Sequence, residues 1–242
     1  MKLDVLAFGV HPDDVELSCS GTLLVEKKAG KKVGVVDLTR GELGTRGTAD
    51  TRESESKAST QILELDAREN LGLADGFFKN DEEHQLKVIY AIRKYKPEVV
   101  LCNAPEDRHP DHGRSAELVS DASFLSGLMK IKTEDNGVEQ NAWRPKYVLN
   151  YIQDRYLKPD FVVDISEVFE QKLESIKAYK TQFFQEGSGG VQTYISSPEF
   201  LESVIYRYKM FGKMIGVEYA EGFISKKILG IKSLESIIKN NT

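Results

Sequence analysis

Three of the four histidines in this 242-residue chain stand among carboxylates in two short clusters. The first cluster reads Gly9-Val10-His11-Pro12-Asp13-Asp14-Val15-Glu16 and follows an apolar run at residues 3–8. A dinucleotide-binding turn at this point would be glycine-rich, because phosphates are cradled by bare backbone N–H groups. Imidazole and carboxylate instead suit a cation. His11 and Asp14 are three residues apart across a strand-to-helix turn, so both can reach one ion, and Pro12 suits the helix entrance. The alternative is that Asp13 or Asp14 only caps the following helix.

The second cluster, Glu106-Asp107-Arg108-His109-Pro110-Asp111-His112, follows the apolar run Val99-Val100-Leu101-Cys102. By itself it could be a polar surface loop. In open α/β sheets, however, ligands bind outside the carboxyl ends of strands, near a topological switch point. If the first and fourth strands meet there, His11, Asp14 and His112 form a set of two imidazoles and one carboxylate with open coordination positions. Zinc and non-haem iron(II) both use such sets. Asp13 cannot easily share that ion, which frees it to act as a general base on water. His109 can carry positive charge near a developing oxyanion or donate a proton. Asp111 is placed to orient an imidazole and raise its pKa. The chemistry these residues serve is metal-assisted hydrolysis. A phosphoesterase of this kind would commonly need two metals, and the chain offers ligands for one. A non-catalytic sugar-binding module is the other alternative.

The elements that must position these residues alternate along the chain. Strands are expected at residues 3–8, 33–38, 70–73, 99–102, 147–152 and 161–165. Helices are expected at 15–28, 52–65, 86–95, 112–129, 167–184 and 198–214. This alternation predicts an α/β, Rossmann-like three-layer fold with a mostly parallel sheet and helices on both faces, in a single domain over residues 1–242. The polar stretches 40–55 and 133–141 read as loops. The segment 226–242 is basic with interspersed Ile and Leu, and reads as a packed or partner-facing end. A homo-oligomer is expected on that ground.

Composition excludes several classes. Apolar residues make up 40% and charged residues 29%, as in a globular protein with a core. Lys and Arg number 33 against 38 for Asp and Glu, a net charge of -5, which gives no electrostatic reason to expect nucleic acid. No apolar stretch reaches membrane-spanning length, so no membrane partner is expected. Cys19 and Cys102 are too few and too far apart for a disulfide framework, and a cytoplasmic location follows as an expectation. Both read as buried small residues, His84 as solvated, and Tyr206, Tyr208 and Phe211 as core.

The H-P-D-D-V-E opening and the later R-H-P-D-H resemble the zinc-dependent de-N-acetylases related to N-acetylglucosaminyl-phosphatidylinositol deacetylase. The stretches Asp37–Thr48, Glu106–His112 and Tyr219-Ala220-Glu221-Gly222-Phe223 are similar to one branch, the bacillithiol-pathway deacetylases that act on N-acetylglucosaminyl malate. The resemblance implies His11, Asp14 and His112 as ligands of Zn2+, with Fe2+ also possible. It implies Asp13 as the base, His109 as the charged group facing the tetrahedral intermediate, and Asp111 as its partner. It also implies Arg52 and Arg108 as substrate-binding residues, since an arginine can fork onto a carboxylate such as malate's. Arg52 read alone could equally be a solvated residue at a helix start. The implied substrate is a small amino-sugar conjugate. The loop from Gly187 to Tyr194 could border the pocket, with Tyr194 and Phe200 both near it.

Overall fold

The structure is a computed structural model that describes residues 1–183, 191–231 and 233–235. In chain order its elements are β1 (Val5–Gly9), α1 (Asp14–Ser18), α2 (Ser20–Lys28), β2 (Val33–Thr39), α3 (Ala49–Ile62), β3 (Ala67–Leu73), α4 (Glu82–Tyr95) and β4 (Val99–Cys102). There follow α5 (Pro110–Leu125), β5 (Glu134–Asp135), β6 (Val138–Glu139), β7 (Tyr147–Tyr151), β8 (Phe161–Asp164), α6 (Phe169–Lys177), α7 (Pro198–Ile215) and β9 (Ala220–Ser225). Seven strands form one sheet in the order β3-β2-β1-β4-β7-β9-β8. The pairs β1–β2, β2–β3, β1–β4 and β4–β7 are parallel, and β9 runs antiparallel to both its neighbours.

The period-2 geometry of strands explains how short apolar runs serve two helical layers. Leu6, Phe8, Val36, Leu38, Val100 and Cys102 pack with Val88, Ile89 and Ile92 of α4 and with Leu118 and Val119 of α5. Their sequence neighbours Val5, Ala7, Val33, Val35 and Leu101 pack on the other face with Val15, Cys19 and Leu23. A further cluster joins Leu24 to Phe169 and Ile176 of α6 and to Phe200, Val204 and Tyr208 of α7. The three-layer arrangement follows from this division. Both cysteines are free and buried.

Four local departures from the sequence expectation have physical causes. The helix expected over 15–28 is two helices, broken at Cys19 (φ −143°, ψ 10°). The restart is supported by Glu221, whose carboxylate accepts from Gly21 N (2.9 Å), Thr22 N (2.7 Å) and Thr22 Oγ1 (2.6 Å) and so satisfies N-terminal amides of α2. α4 starts four residues earlier than expected because Asp81 caps it, accepting from His84 N at 3.1 Å. The same carboxylate bonds the His84 ring at 2.6 Å, so His84 is held rather than freely solvated. The polar stretch 133–141 contains the hairpin β5–β6, turned by Asn136 and Gly137 at φ 51° and 78°, the left-handed pair that two-residue hairpins favour. Finally, β9 is not expected from the sequence, and Glu221 at its second position is wholly buried.

The expected helix over 167–184 is shorter, ending at Lys177, and residue 184 lies outside the described residues. Tyr208 and Phe211 are buried, whereas Tyr206 is exposed. Ile228 is 93% exposed and Leu234 73%, so the described part of the C-terminal segment does not pack these residues on the core. Residues 232 and 236–242 of that segment lie outside the described residues. Among the described residues, no helix is long and apolar enough to cross a membrane.

Glu221 also pairs with Lys172 of α6 at 2.8 Å, both side chains fully buried. Lys172 in turn donates to Glu16 O at 2.6 Å, at the back of α1. Removing one partner strands a charge in the core. Glu221→Ala is therefore expected to lower unfolding free energy by about 3–5 kcal/mol in urea titrations. The double variant with Lys172→Met should recover part of that loss.

Candidate active site

The sheet order reverses between β1 and β4, with β2 on the far side of β1 and β7 beyond β4. The turns after β1 and β4 therefore open together at the carboxyl ends of adjacent strands, the crevice where such sheets bind ligands. A cleft of about 240 Å³ lies there, lined by both histidine clusters.

Asp14 has two differently employed oxygens. Its Oδ2 accepts from Val10 N (2.9 Å), His11 N (3.1 Å) and Asn103 Nδ2 (3.0 Å), which locks the carboxylate to the turn. Its Oδ1 faces His112 Nε2 at 3.2 Å, with Gln153 Nε2 at 3.3 Å. His112 Nδ1 bonds Asp107 at 2.5 Å, leaving Nε2 on the cleft side. His11 Nε2 bonds Asp75 at 2.9 Å, and its Nδ1 stands 3.8 Å from Asp14 Oδ2. The nitrogen and oxygen donors of His11, Asp14 and His112 all lie within 4.8 Å of one another. Two imidazoles, each backed by a carboxylate, and a pre-oriented carboxylate form a donor set that fits a divalent transition metal. His11, His109 and Asp111 are equally close together. In that group, however, the Asp111 oxygens are engaged by Arg114 (2.6 Å) and Gly76 N (2.9 Å).

Asp13 precedes α1 in a conformation (φ 135°, ψ −22°) that a non-glycine residue adopts only under constraint, at a cost of about 1–3 kcal/mol. Its side chain caps no helix amide. It is 4% exposed, lines the cleft and has no hydrogen-bond partner among the described residues. Helix capping thus explains neither aspartate.

His109 caps α5, and its Nδ1 accepts from Asp111 N at 3.3 Å, so Nε2 remains available. The His11 and His109 rings are 4.9 Å apart, and those of His109 and His112 5.3 Å. Asp111 lies at the site, but its carboxylate bonds no imidazole. That contact belongs to Asp107 and Asp75, neither of which has a role assigned from sequence. Asp75 stands just past β3, and the strand-end rule that locates the two clusters would find it too.

Electrostatics sort these groups by role. Burial lifts the Asp13 carboxyl to about 7, against the pull of the Arg52 charge and with the push of Asp14. Burial would also raise Asp14, but the charge and hydrogen bond of His112 outweigh it and hold the carboxyl well below the usual range. Burial depresses His112, yet Asp14 and Asp107 reverse this and bring it up to about 10. Burial likewise opposes the rise of His11, which its Asp75 bond carries through. The negative field that holds protons on these two imidazoles equally favours a cation between them. His109 moves the other way: burial, then repulsion from His11 and His112, lowers its pKa.

Arg52 and Arg108 both line the cleft. Arg52 is 6% exposed, which rules out a solvated helix start. It bonds the Gln182 side chain, while its Nε is buried without a partner among the described residues. Gly41 (φ 63°) lies so close that a Cβ there would overlap the Arg52 guanidinium. Arg108 stands at the mouth, 3.4 Å from Asp154 and 4.3 Å over the Tyr194 ring, whose hydroxyl also bonds Asp154 (3.1 Å). Ile195 and Phe200 complete that wall. Residues 187–190 of the loop expected to border the pocket lie outside the described residues.

Asp107→Asn should loosen the His112 ring, and metal affinity is expected to fall about 10–100-fold in competition with a chromophoric chelator.

Known proteins share this arrangement of sequence and fold. Residues 6–123, which carry both histidine clusters, match the family described as PIG-L: GlcNAc-PI de-N-acetylase. The chain is 28% identical over 228 residues to diacetylchitobiose deacetylase of Thermococcus kodakarensis, covering 90% of this chain and 81% of that protein. It is 26% identical over 200 residues to the probable N-acetyl-alpha-D-glucosaminyl L-malate deacetylase 2 of Bacillus subtilis, covering 75% and 84%. Among solved structures, the conserved protein TT1542 of Thermus thermophilus superposes with a TM-score of 0.83 at 35% identity, covering 95% of this chain and 98% of that one. Residues 6–123 belong to the GlcNAc-PI de-N-acetylase family, and the chain is similar along most of its length to deacetylases of N-acetylglucosamine-type substrates.

Proposed function

We propose that this chain hydrolyses the N-acetyl group of an N-acetylglucosaminide bearing an anionic aglycone. The candidate substrate is N-acetylglucosaminyl malate, converted to glucosaminyl malate and acetate as in bacillithiol biosynthesis. The metal is zinc, with iron(II) as the alternative. The observation that carries the anionic preference is Arg52, a guanidinium 6% exposed that lines the cleft near Asp13 and forms no salt bridge with a carboxylate of the described residues. A cation held in this way favours a substrate carboxylate over a neutral group.

His11, Asp14 and His112 would hold the metal ion. When bound, such an ion polarises an amide carbonyl and provides a water that is nucleophilic at neutral pH. Asp13, whose side chain has no hydrogen-bond partner among the described residues, accepts the proton released as water adds to the carbonyl carbon. His109 Nε2 faces the same space and offers a donor to the oxygen that gains charge. The C–N bond breaks as the amine nitrogen receives a proton from Asp13 or His109. The products are acetate and a free amino sugar, so atoms and charge balance with one water consumed.

A neutral chitooligosaccharide is the second reading, favoured by the longer match to the T. kodakarensis enzyme. Purified protein supplied with zinc should be given N-acetylglucosaminyl malate, N,N′-diacetylchitobiose and N-acetylglucosamine, and released amine quantified. A kcat/KM at least about tenfold higher for the malate conjugate, the effect of one charge-assisted bond, is expected. Equal or better turnover of diacetylchitobiose would overturn the anionic preference.

A further inference from the structure

Arg207 projects from α7 into the same cleft as Asp13, His109 and Arg52. Its Nη2 donates to Leu17 O at 3.3 Å, and Leu17 N donates to Asp13 O at 2.9 Å. The guanidinium is thereby tied to the helical turn that carries the proposed base. Its Nε is buried and has no hydrogen-bond partner among the described residues. Nor does any carboxylate of the described residues pair with it, unlike Arg68, which is bound by Glu16 and Asp37, or Arg114, bound by Asp111. Unpaired buried donors are few in folded proteins, and each calls for an explanation. Leu17, Phe200 and Val204 form the apolar wall beside it, which keeps water from screening the charge.

We propose that Arg207 is a specificity-determining residue that takes a carboxylate of the substrate's aglycone. A carboxylate can meet a guanidinium end-on, with parallel bonds from Nη1 and Nη2. Arg207 Nη1 has no hydrogen-bond partner among the described residues and, unlike the buried Nε, is not enclosed. Nη2 spends one of its two N–H groups on Leu17, so one remains for such a pair. This places the aglycone against α7 and the acetamide against the histidines. The inference rests on hydrolysis of an anionic conjugate, and it adds to Arg52 a second cation, contributed by a different element.

The test compares the wild type with Arg207→Gln and Arg207→Lys on N-acetylglucosaminyl malate and on N,N′-diacetylchitobiose. Arg207→Gln is expected to raise KM for the malate conjugate about 10–100-fold, the worth of a charge-assisted pair, with kcat nearly unchanged. Turnover of the neutral disaccharide should stay within about twofold. Arg207→Lys, which keeps the charge and loses the fork, should fall between. Equal losses on both substrates would mean a structural role, and an unchanged KM for the conjugate would mean no contact; either overturns the assignment. Calorimetric titration with L-malate separates this from the function proposed above. Malate bound by the wild type and at least about tenfold more weakly by Arg207→Gln supports the assignment even if neither substrate is hydrolysed. Equal malate affinity in both proteins, or none in either, overturns it.

Discussion

Asp13→Asn is expected to lower kcat by about 10²–10⁴-fold, the range that a positioned general base supplies, while metal content stays at the wild-type level. The two halves of this expectation come from different observations. Asp13 sits beside the donor set without belonging to it: Asp14 Oδ1, not Asp13, faces His112 Nε2. An amide at position 13 keeps the shape and the constrained backbone but cannot accept a proton from water. The substitution should also be mild for stability, because the Asp13 side chain makes no hydrogen bond among the described residues and its buried charge is removed. Single-turnover acetate release, with elemental analysis of the same sample, reads both quantities. A variant that kept wild-type kcat would remove Asp13 from the chemistry, and one that lost metal would place it among the ligands.

His112→Ala is expected to abolish stoichiometric metal binding, an effect larger than that of Asp107→Asn. The imidazole does two things at once. It offers Nε2 to the cleft, and it separates Asp14 from Asp107, each of which contacts one of its nitrogens. Without the ring, two buried carboxylates face each other across a gap with one fewer neutral donor. One of them then does best by taking up a proton, which removes it as a ligand. Metal-to-protein ratios after desalting should therefore fall from about one, the expectation for a single three-ligand site, to near zero. His109→Ala is the comparison: it should retain metal, because His109 is not part of the set His11, Asp14 and His112. Full occupancy in His112→Ala would exclude it from the ligands.

The residues that sequence can assemble are those tied to strand ends by short-range spacing. His11, Asp13 and Asp14 follow β1 closely, and His109, Asp111 and His112 straddle the start of α5, so periodicity alone places both clusters on one edge of a parallel sheet. The carboxylates that orient the imidazoles are harder. Asp107 lies inside the second cluster, yet nothing in the spacing distinguishes it from Asp111 as the partner of a histidine. Only the turn between β4 and α5 decides, by sending Asp107 to His112 and Asp111 toward Arg114. Asp75 follows the short strand expected at 70–73, so its place at a strand end is legible, but its pairing with His11 depends on β3 lying beside β2 and one strand away from β1, a relation that no local pattern encodes. β9 is invisible for a different reason. Its sequence Ala-Glu-Gly-Phe-Ile-Ser has a charge and a glycine where a strand pattern wants apolar residues. Glu221 is tolerated there because Lys172 and the amides of α2 satisfy it, and that compensation comes from segments about 50 and 200 residues away. Arg52 and Arg207 show the same limit, since surface and buried arginines look alike until the elements around them close.

The most direct measurement is acetate release from N-acetylglucosaminyl malate by the purified full chain, followed as metal is removed with a chelator and then restored one equivalent at a time. Metal-dependent hydrolysis at one site predicts that activity disappears with the last equivalent removed and returns in proportion to zinc or iron(II) added, reaching its plateau near one ion per chain. Undiminished acetate release from protein shown to be free of metal would contradict it.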